Sequence, residues 1–318
     1  MRSTAPARRA GSRRAKPCRG SWRWFVADVA VVTDSTACLP RALAATLDIT
    51  VVSLYYDLGG GWLRESEFDG DFGTFFAELD ASKSVAKTSP PRVEDFVAVF
   101  ERLLQQHSAI VAVLISSGLS ETCSMTRQAA ARLESEGRGG ERVMVIDSAG
   151  AAGQLGLQAL AAARAAAAGE NATGVTAVTR RARQEVRQWV VLDTLEYLRR
   201  GGRIGGGAAW LGSALDLKPI LVLESQFRAV ERVRTRKRAV ERLVELMRQR
   251  RGVGADRWFV QHADAREDAE RLAERLAEMF GTEPEFISEL SPVLATHTGP
   301  GTLVAGGLSS AALEGAYG

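Results

Sequence analysis

Cysteine and histidine are scarce in this chain of 318 residues. Cys18, Cys38 and Cys123 are odd in number and far apart, with no CxxC pair, which argues against a disulfide framework or a thiolate metal site and fits a reducing cytoplasm. His107, His262 and His297 form no HExxH-like pair, so no zinc or iron centre is expected, and the default is a protein without a cofactor. Long apolar runs are also missing. No window of about 18 apolar residues exists, so no membrane span is expected. Acid is absent from residues 1–27, which carry eight Arg or Lys and no h-region of a secretory signal. They read as a basic disordered leader or a misplaced start. Removing those eight from the 41 basic residues leaves 33 against 38 acidic ones, so the body is mildly acidic although the whole chain is +3.

What is present is ample core. Hydrophobic residues make up 46% and charged ones 25%, a balance that suits two folded domains. From residue 29 strands and helices alternate: VAVVTD, ITVVSLYY, a helix from about Pro90, AIVAVLI, a helix after Ser120, VMVID, and an alanine-rich helix near 151–168. Such alternation predicts a largely parallel, Rossmann-like α/β sheet. Val93, Phe96, Val97, Phe100, Leu103 and Leu104 keep the spacing of one buried helix face. The segment 169–174, GENATG, punctuates the chain. Beyond it come WVVLD, PILVLE, FRAVERV and RWFVQHA, with a charged helix near 235–250; the close PILVLE and FRAVERV pair reads as a hairpin. The expected organisation is a leader over 1–27, a parallel α/β domain over 28–170 and a mixed or antiparallel α/β domain over 171–318.

Four segments could carry chemistry. In 194–206, TLEYLRRGGRIGG, Gly201 and Gly202 permit a sharp turn that exposes amides beside Arg203, whose guanidinium binds anions bidentately; the plainer reading is a glycine C-cap followed by a solvated arginine. KTSPP, with Thr88 and Ser89, and SSGLSET, with Ser120, read as helix N-termini carrying hydroxyls, which favour a bound anion or serve as ordinary caps. Ser116 and Ser117 belong to the crevice at the carboxyl end of an apolar strand. In ATHTGPG, His297 reads as a loop histidine ahead of a tight bend, aimed at a ligand or satisfied by a turn carbonyl.

These pieces in this order, together with VVTDSTACLP, VIDS at 145–148, LKPIL and VRTRKRA, resemble the DegV family of bacterial fatty-acid-binding proteins over about 29–307. The resemblance implies a two-domain fold with an apolar tunnel at or near the interface. It also implies one bound long-chain fatty acid, and a non-enzymatic carrier that presents the carboxylate to a partner kinase for acyl-phosphate formation in phospholipid metabolism. Carried over, the family's carboxylate-binding threonine and serine fall on Thr88 and Ser120, and its polar mouth on Arg203 and His297. No nucleic acid and no integral membrane association are implied, at most a transient contact with a membrane surface. Two departures stand out. Leu119-Ser120-Glu121-Thr122 replaces the usual LSGT, and Thr88-Ser89-Pro90-Pro91-Arg92 replaces TSQPS. Glu121 is expected in a first helical turn facing solvent, and Arg92 is expected either to pair with it or to help bind the ligand.

An alternative makes Ser120 the nucleophile and His297 the base of an acyl hydrolase or transferase. The GxSxG elbow is absent, however, because Thr122 stands where its second glycine belongs, and no acid to orient His297 is evident. Nucleic-acid binding through Arg199, Arg200, Arg203 and 233–238 is opposed by the acidic body and by the lack of interleaved aromatics. Those arginines fit an acidic protein partner better.

Overall fold

The computed structural model describes Met1 and residues 28–68, 70–81, 86–205 and 217–315; the expected leader beyond Met1 lies outside the described residues, as does Gly206 of the glycine-rich segment. A parallel sheet is built from β1 (Val29–Asp34), β2 (Ile49–Val52), β6 (Ala109–Leu114) and β7 (Val143–Asp147) in the order β2-β1-β6-β7. Both faces of its two central strands are buried, which is why β1 and β6 read as continuous apolar runs and not as alternating ones. Ala30, Val32, Ile110 and Ala112 pack under α3 (Val93–Leu104) and α4 (Thr122–Ser135), whereas Val29, Val31, Val111 and Val113 face α5 (Gly153–Ala167).

The second sheet has six strands in the order β10-β9-β8-β13-β11-β12: β8 (Arg187–Val191), β9 (Lys218–Glu224), β10 (Gln226–Val233), β11 (Arg257–Ala263), β12 (Phe286–Glu289) and β13 (Thr302–Leu308). Its neighbours are antiparallel except β11 and β12, so this sheet is mixed, and β9 and β10 form the expected hairpin around Ser225. Val191, Ile220, Trp258 and Val260 are covered by α8 (Arg236–Gly252) and α9 (Arg266–Phe280). The opposite face, with Val190, Leu221, Phe259 and Val304, turns toward α5. That helix contacts β1 and β6 on one side and β8, β11 and β13 on the other. All of its fifteen residues except Arg164 and Ala167 are buried. Its alanines give a narrow helix of high intrinsic propensity between two sheets. α6 (Ala172–Glu185) follows and packs on α5, β6 and β7.

The sequence run ITVVSLYY is not one strand. It divides after Val52: β3 (Tyr55–Asp57) joins β4 (Leu63–Arg64) and β5 (Lys87–Ser89) in a small antiparallel sheet, order β4-β3-β5. The chain leaves the parallel sheet where the Leu54 amide donates to Ser35 Oγ at 2.9 Å. This small sheet rests on α2 (Phe72–Ala81), where Tyr56, Phe68, Phe72, Phe75 and Phe76 meet at centroid distances from 4.7 to 6.5 Å, mostly edge to face. α3 covers the span of the apolar face read in the sequence, 93–104, and starts only after Pro90 and Pro91, which hold the preceding backbone extended.

Candidate functional site

Between the carboxyl ends of the parallel strands and the inner face of the mixed sheet lies a cavity of about 440 Å³. That size suits a small-molecule site, and the place is where open α/β sheets hold ligands. Its body is apolar, with Leu54, Val190, Leu223, Phe227, Leu294 and Val304 on its walls. Thr88, Ser120, Arg203 and His297 are all in its lining, so the four residues selected in the sequence share one cavity, together with the polar Gln188 and Thr298 and the acidic Glu121.

Thr88 lies on β5, opposite Tyr56 of β3, and its Oγ1 is 2.9 Å from His297 Nε2. It is not at a helix cap, for the N-cap of α3 is Arg92. Ser120 stands one residue before the N-cap of α4, yet its Oγ takes the amide of the first helical residue. Glu121 occupies the N-cap of α4, while Ser120 Oγ lies 2.9 Å from Thr122 Oγ1 and accepts from the Thr122 amide at 3.3 Å. Glu121 is exposed on the rim of the cavity. Arg92 does not pair with it: its Nε meets Asp95 at 3.4 Å and its Nη2 donates to the Tyr55 hydroxyl at 3.2 Å. Ser116 Oγ donates to the Ser225 carbonyl at 2.7 Å, and Ser117 donates its hydroxyl and amide to Asp147.

His297 is a helical residue, not a loop one. It sits on α10 (Pro292–Thr298), whose N-cap is Ser291 and whose first position is Pro292. Burial, with Arg203 nearby, pushes the imidazole down to about 3, so it is neutral near pH 7. Nδ1 has no hydrogen-bond partner among the described residues. It faces Gly201, where a Cβ would stand 2.1 Å from Nδ1, so a glycine is required for the ring to fit. A buried orphan N–H is rarer and costlier than an orphan lone pair. The proton therefore belongs on Nε2, which donates to Thr88 Oγ1 and leaves the Thr88 hydroxyl hydrogen free for another acceptor.

The glycine pair does not present free amides. Gly201 is the C-cap of α7 (Glu196–Arg200), and Gly202, at φ 69°, and Arg203 donate their amides to Arg199 O and Leu198 O, both at 3.1 Å. These are the two bonds of a Schellman ending. The anion-binding capacity of the segment is thus the Arg203 side chain itself. Its Nη1 donates to Gly201 O at 2.7 Å and its Nε to Leu119 O at 3.4 Å, which tether an exposed guanidinium at the cavity mouth. A hydrolytic triad is not assembled: His297 Nε2 is engaged with Thr88, Nδ1 meets no carboxylate, and Ser120 is bonded to Thr122.

A family model described as an uncharacterised protein of the DegV family matches residues 28–307. The chain belongs to the DegV family. A DegV domain-containing protein from Clostridium perfringens is 34% identical over 273 residues, which are 85% of this chain and 95% of that one. The structure of a DegV family protein from Thermus thermophilus, described by its fatty-acid binding, is similar at 31% identity and a TM-score of 0.80, covering 89% of this chain and 99% of that one. DegV of Bacillus subtilis, described as a fatty-acid-binding protein, is similar at 28% identity and a TM-score of 0.78, covering 89% and 100%.

Sequence reading of this DegV chain passes over the apolar wall and two buried acids. Phe227 and Leu223 are cross-strand partners on β10 and β9, but nothing local says that this face meets a cavity and not a core. Asp34, fully buried and pushed up to about 6 by desolvation, accepts from the amides of Thr36 at 3.0 Å and Ile115 at 2.7 Å. The acid at the end of an apolar strand in VVTDST was its available signal. Glu65 had none. Among the described residues no cluster of His, Cys, Asp or Glu could hold a metal ion, and no helix is long and apolar enough to cross a membrane.

Proposed function

We propose that this protein binds one long-chain fatty acid and presents its carboxylate to a separate kinase, without catalysing a reaction of its own. The observation that carries the reading is one cavity whose lining brings the hydroxyls of Thr88 and Ser120, a neutral imidazole and a guanidinium together with apolar side chains from both large sheets. A carboxylate withdrawn from water requires donors or a counter-charge. Thr88 and Ser120 offer hydroxyl hydrogens, and Arg203 supplies the charge at the mouth, where charge-assisted hydrogen bonds are the strong ones. His297 keeps the Thr88 oxygen occupied so that its hydrogen points to the ligand. The tail contributes about 0.8 kcal/mol for each buried methylene.

The solved relatives from T. thermophilus and B. subtilis, described as fatty-acid binding, support the same ligand class. The exposed position of Arg203 and the family resemblance support acyl-phosphate formation by a partner. The cytoplasm, where such a kinase works, is the compartment this reading requires. Native mass spectrometry of the purified protein, followed by denaturing extraction of the bound molecule, tests the proposal. One fatty acid per chain is expected. A protein that is empty and also refuses added palmitate overturns it.

A further inference from the structure

The VVTDSTACLP segment contributes no polar ligand group to the cavity, yet it is tied to much of the cavity wall. Asp34 holds the amide of Ile115, Ser35 Oγ accepts from the amide of Leu54, and Thr36 O accepts from the amide of Ala152; Ile115, Leu54 and Ala152 all line the cavity. The α10 wall is reached through one further residue. Glu65, 6% exposed, accepts from the Ser35 hydroxyl through Oε2 and from the Val293 amide through Oε1 at 2.7 Å. Val293 is the second residue of α10 and lines the cavity, and His297 follows it by one helical turn. Glu65 itself lines a different hollow, of about 780 Å³, which shares only Leu290 with the first. It therefore acts on the site from behind the wall. No salt bridge reaches it among the described residues. Burial pushes its carboxyl upward, offset in part by the hydrogen bonds of Ser291, Ser35 and Val293.

We propose that Glu65 is a positioning residue for the carboxylate site, fixing the first turn of α10 and through it the His297 imidazole against Thr88. The ligand rests on the fatty-acid reading above; the geometry does not. The test pairs Glu65→Ala with the conservative Glu65→Gln, whose amide oxygen can still accept from Val293. Two quantities are read in each: palmitate affinity, and the ring ¹⁵N resonances of His297 in the ligand-free protein.

Glu65→Ala should weaken palmitate binding about tenfold and move the His297 resonances, and Glu65→Gln should restore most of both. Unmoved His297 resonances in Glu65→Ala overturn the proposal even if affinity falls, because a general loss of stability would then explain the fall. Wild-type protein that binds no palmitate, with His297 still displaced by Glu65→Ala, sinks the carrier reading and leaves the positioning role standing. If Glu65→Ala does not fold, Glu65→Asp, one methylene shorter and out of reach of the Val293 amide, decides: shifted His297 resonances and about threefold weaker binding support the role, and unmoved resonances overturn it.

Discussion

His297 enters the folded state as a neutral base with its basicity suppressed from 6.5 to about 3. The unfolded chain therefore takes up a proton first as the pH falls, so the stability this residue confers is complete above about 6.5 and is lost progressively toward 3. His262, pushed down to about 4 by burial, acts in the same direction, whereas Asp34, pushed up to about 6, acts in the opposite one between 3.8 and 6. His297→Gln should reduce the drop in melting temperature between pH 7 and pH 4.5. Thermal melts of the variant and wild type across that range check it, with His262 still titrating in both.

The hydroxyls and the guanidinium should separate in function. Thr88→Val with Ser120→Ala should lower fatty-acid affinity at least tenfold, since hydrogen bonds to a charged group contribute about 1.5–3 kcal/mol each. On the carrier reading, Arg203→Ala, at the exposed mouth, should reduce phosphorylation of the bound ligand by a partner kinase more than ligand retention. Equal losses of the two would contradict that division. Thr88 and Ser120 were legible as hydroxyls beside prolines or glycines; Ser120 does take an amide at the start of α4, whereas Thr88 lies on a strand and not at a helix start. Glu65 was illegible because its partners lie 30 and 228 residues away.

Among the elements, the β9–β10 hairpin closes the cavity mouth from the second sheet. Ser225, at φ 66°, turns its carbonyl to Ser116 Oγ and its amide to Ala149 O at 2.9 Å, which pins the hairpin tip onto the loops after β6 and β7. Ser116→Ala removes one of these ties and should raise the palmitate dissociation rate several-fold, with a smaller effect on the association rate; stopped-flow displacement measures both. Elements with a sustained local pattern were legible: α3 by its helical period, β1 and β6 by continuous apolar runs, α5 by its alanines, and the β9–β10 hairpin by two close apolar segments. α10 was not, because seven residues are too few to show a period, even though Ser291-Pro292 is a sound helix-start signal. ITVVSLYY misled because its break is set by a tertiary bond between Leu54 and Ser35 that leaves no trace in composition.

For the whole molecule, a ligand between the two large sheets contacts both, so its binding free energy adds to the stability of the native state as a unit. Palmitate at one hundred times its dissociation constant should stabilise the fold by about 2.7 kcal/mol. Calorimetry should show that rise, and hydrogen–deuterium exchange should slow both at the end of β6 and along α10. Protection confined to one side would place the ligand elsewhere.

The narrow alanine-rich α5 bears on how such a ligand comes and goes. Because this helix is buried against strands on either side, parting the sheets like a clamshell would hydrate much of a central layer common to both. Exchange through the rim, by brief loosening of the hairpin tip and the Ser117–Ser120 loop, leaves that layer dry. On the fatty-acid reading, traffic by that route would be uncoupled from the integrity of the core, and the residence time of the cargo would be a property of a few surface hydrogen bonds.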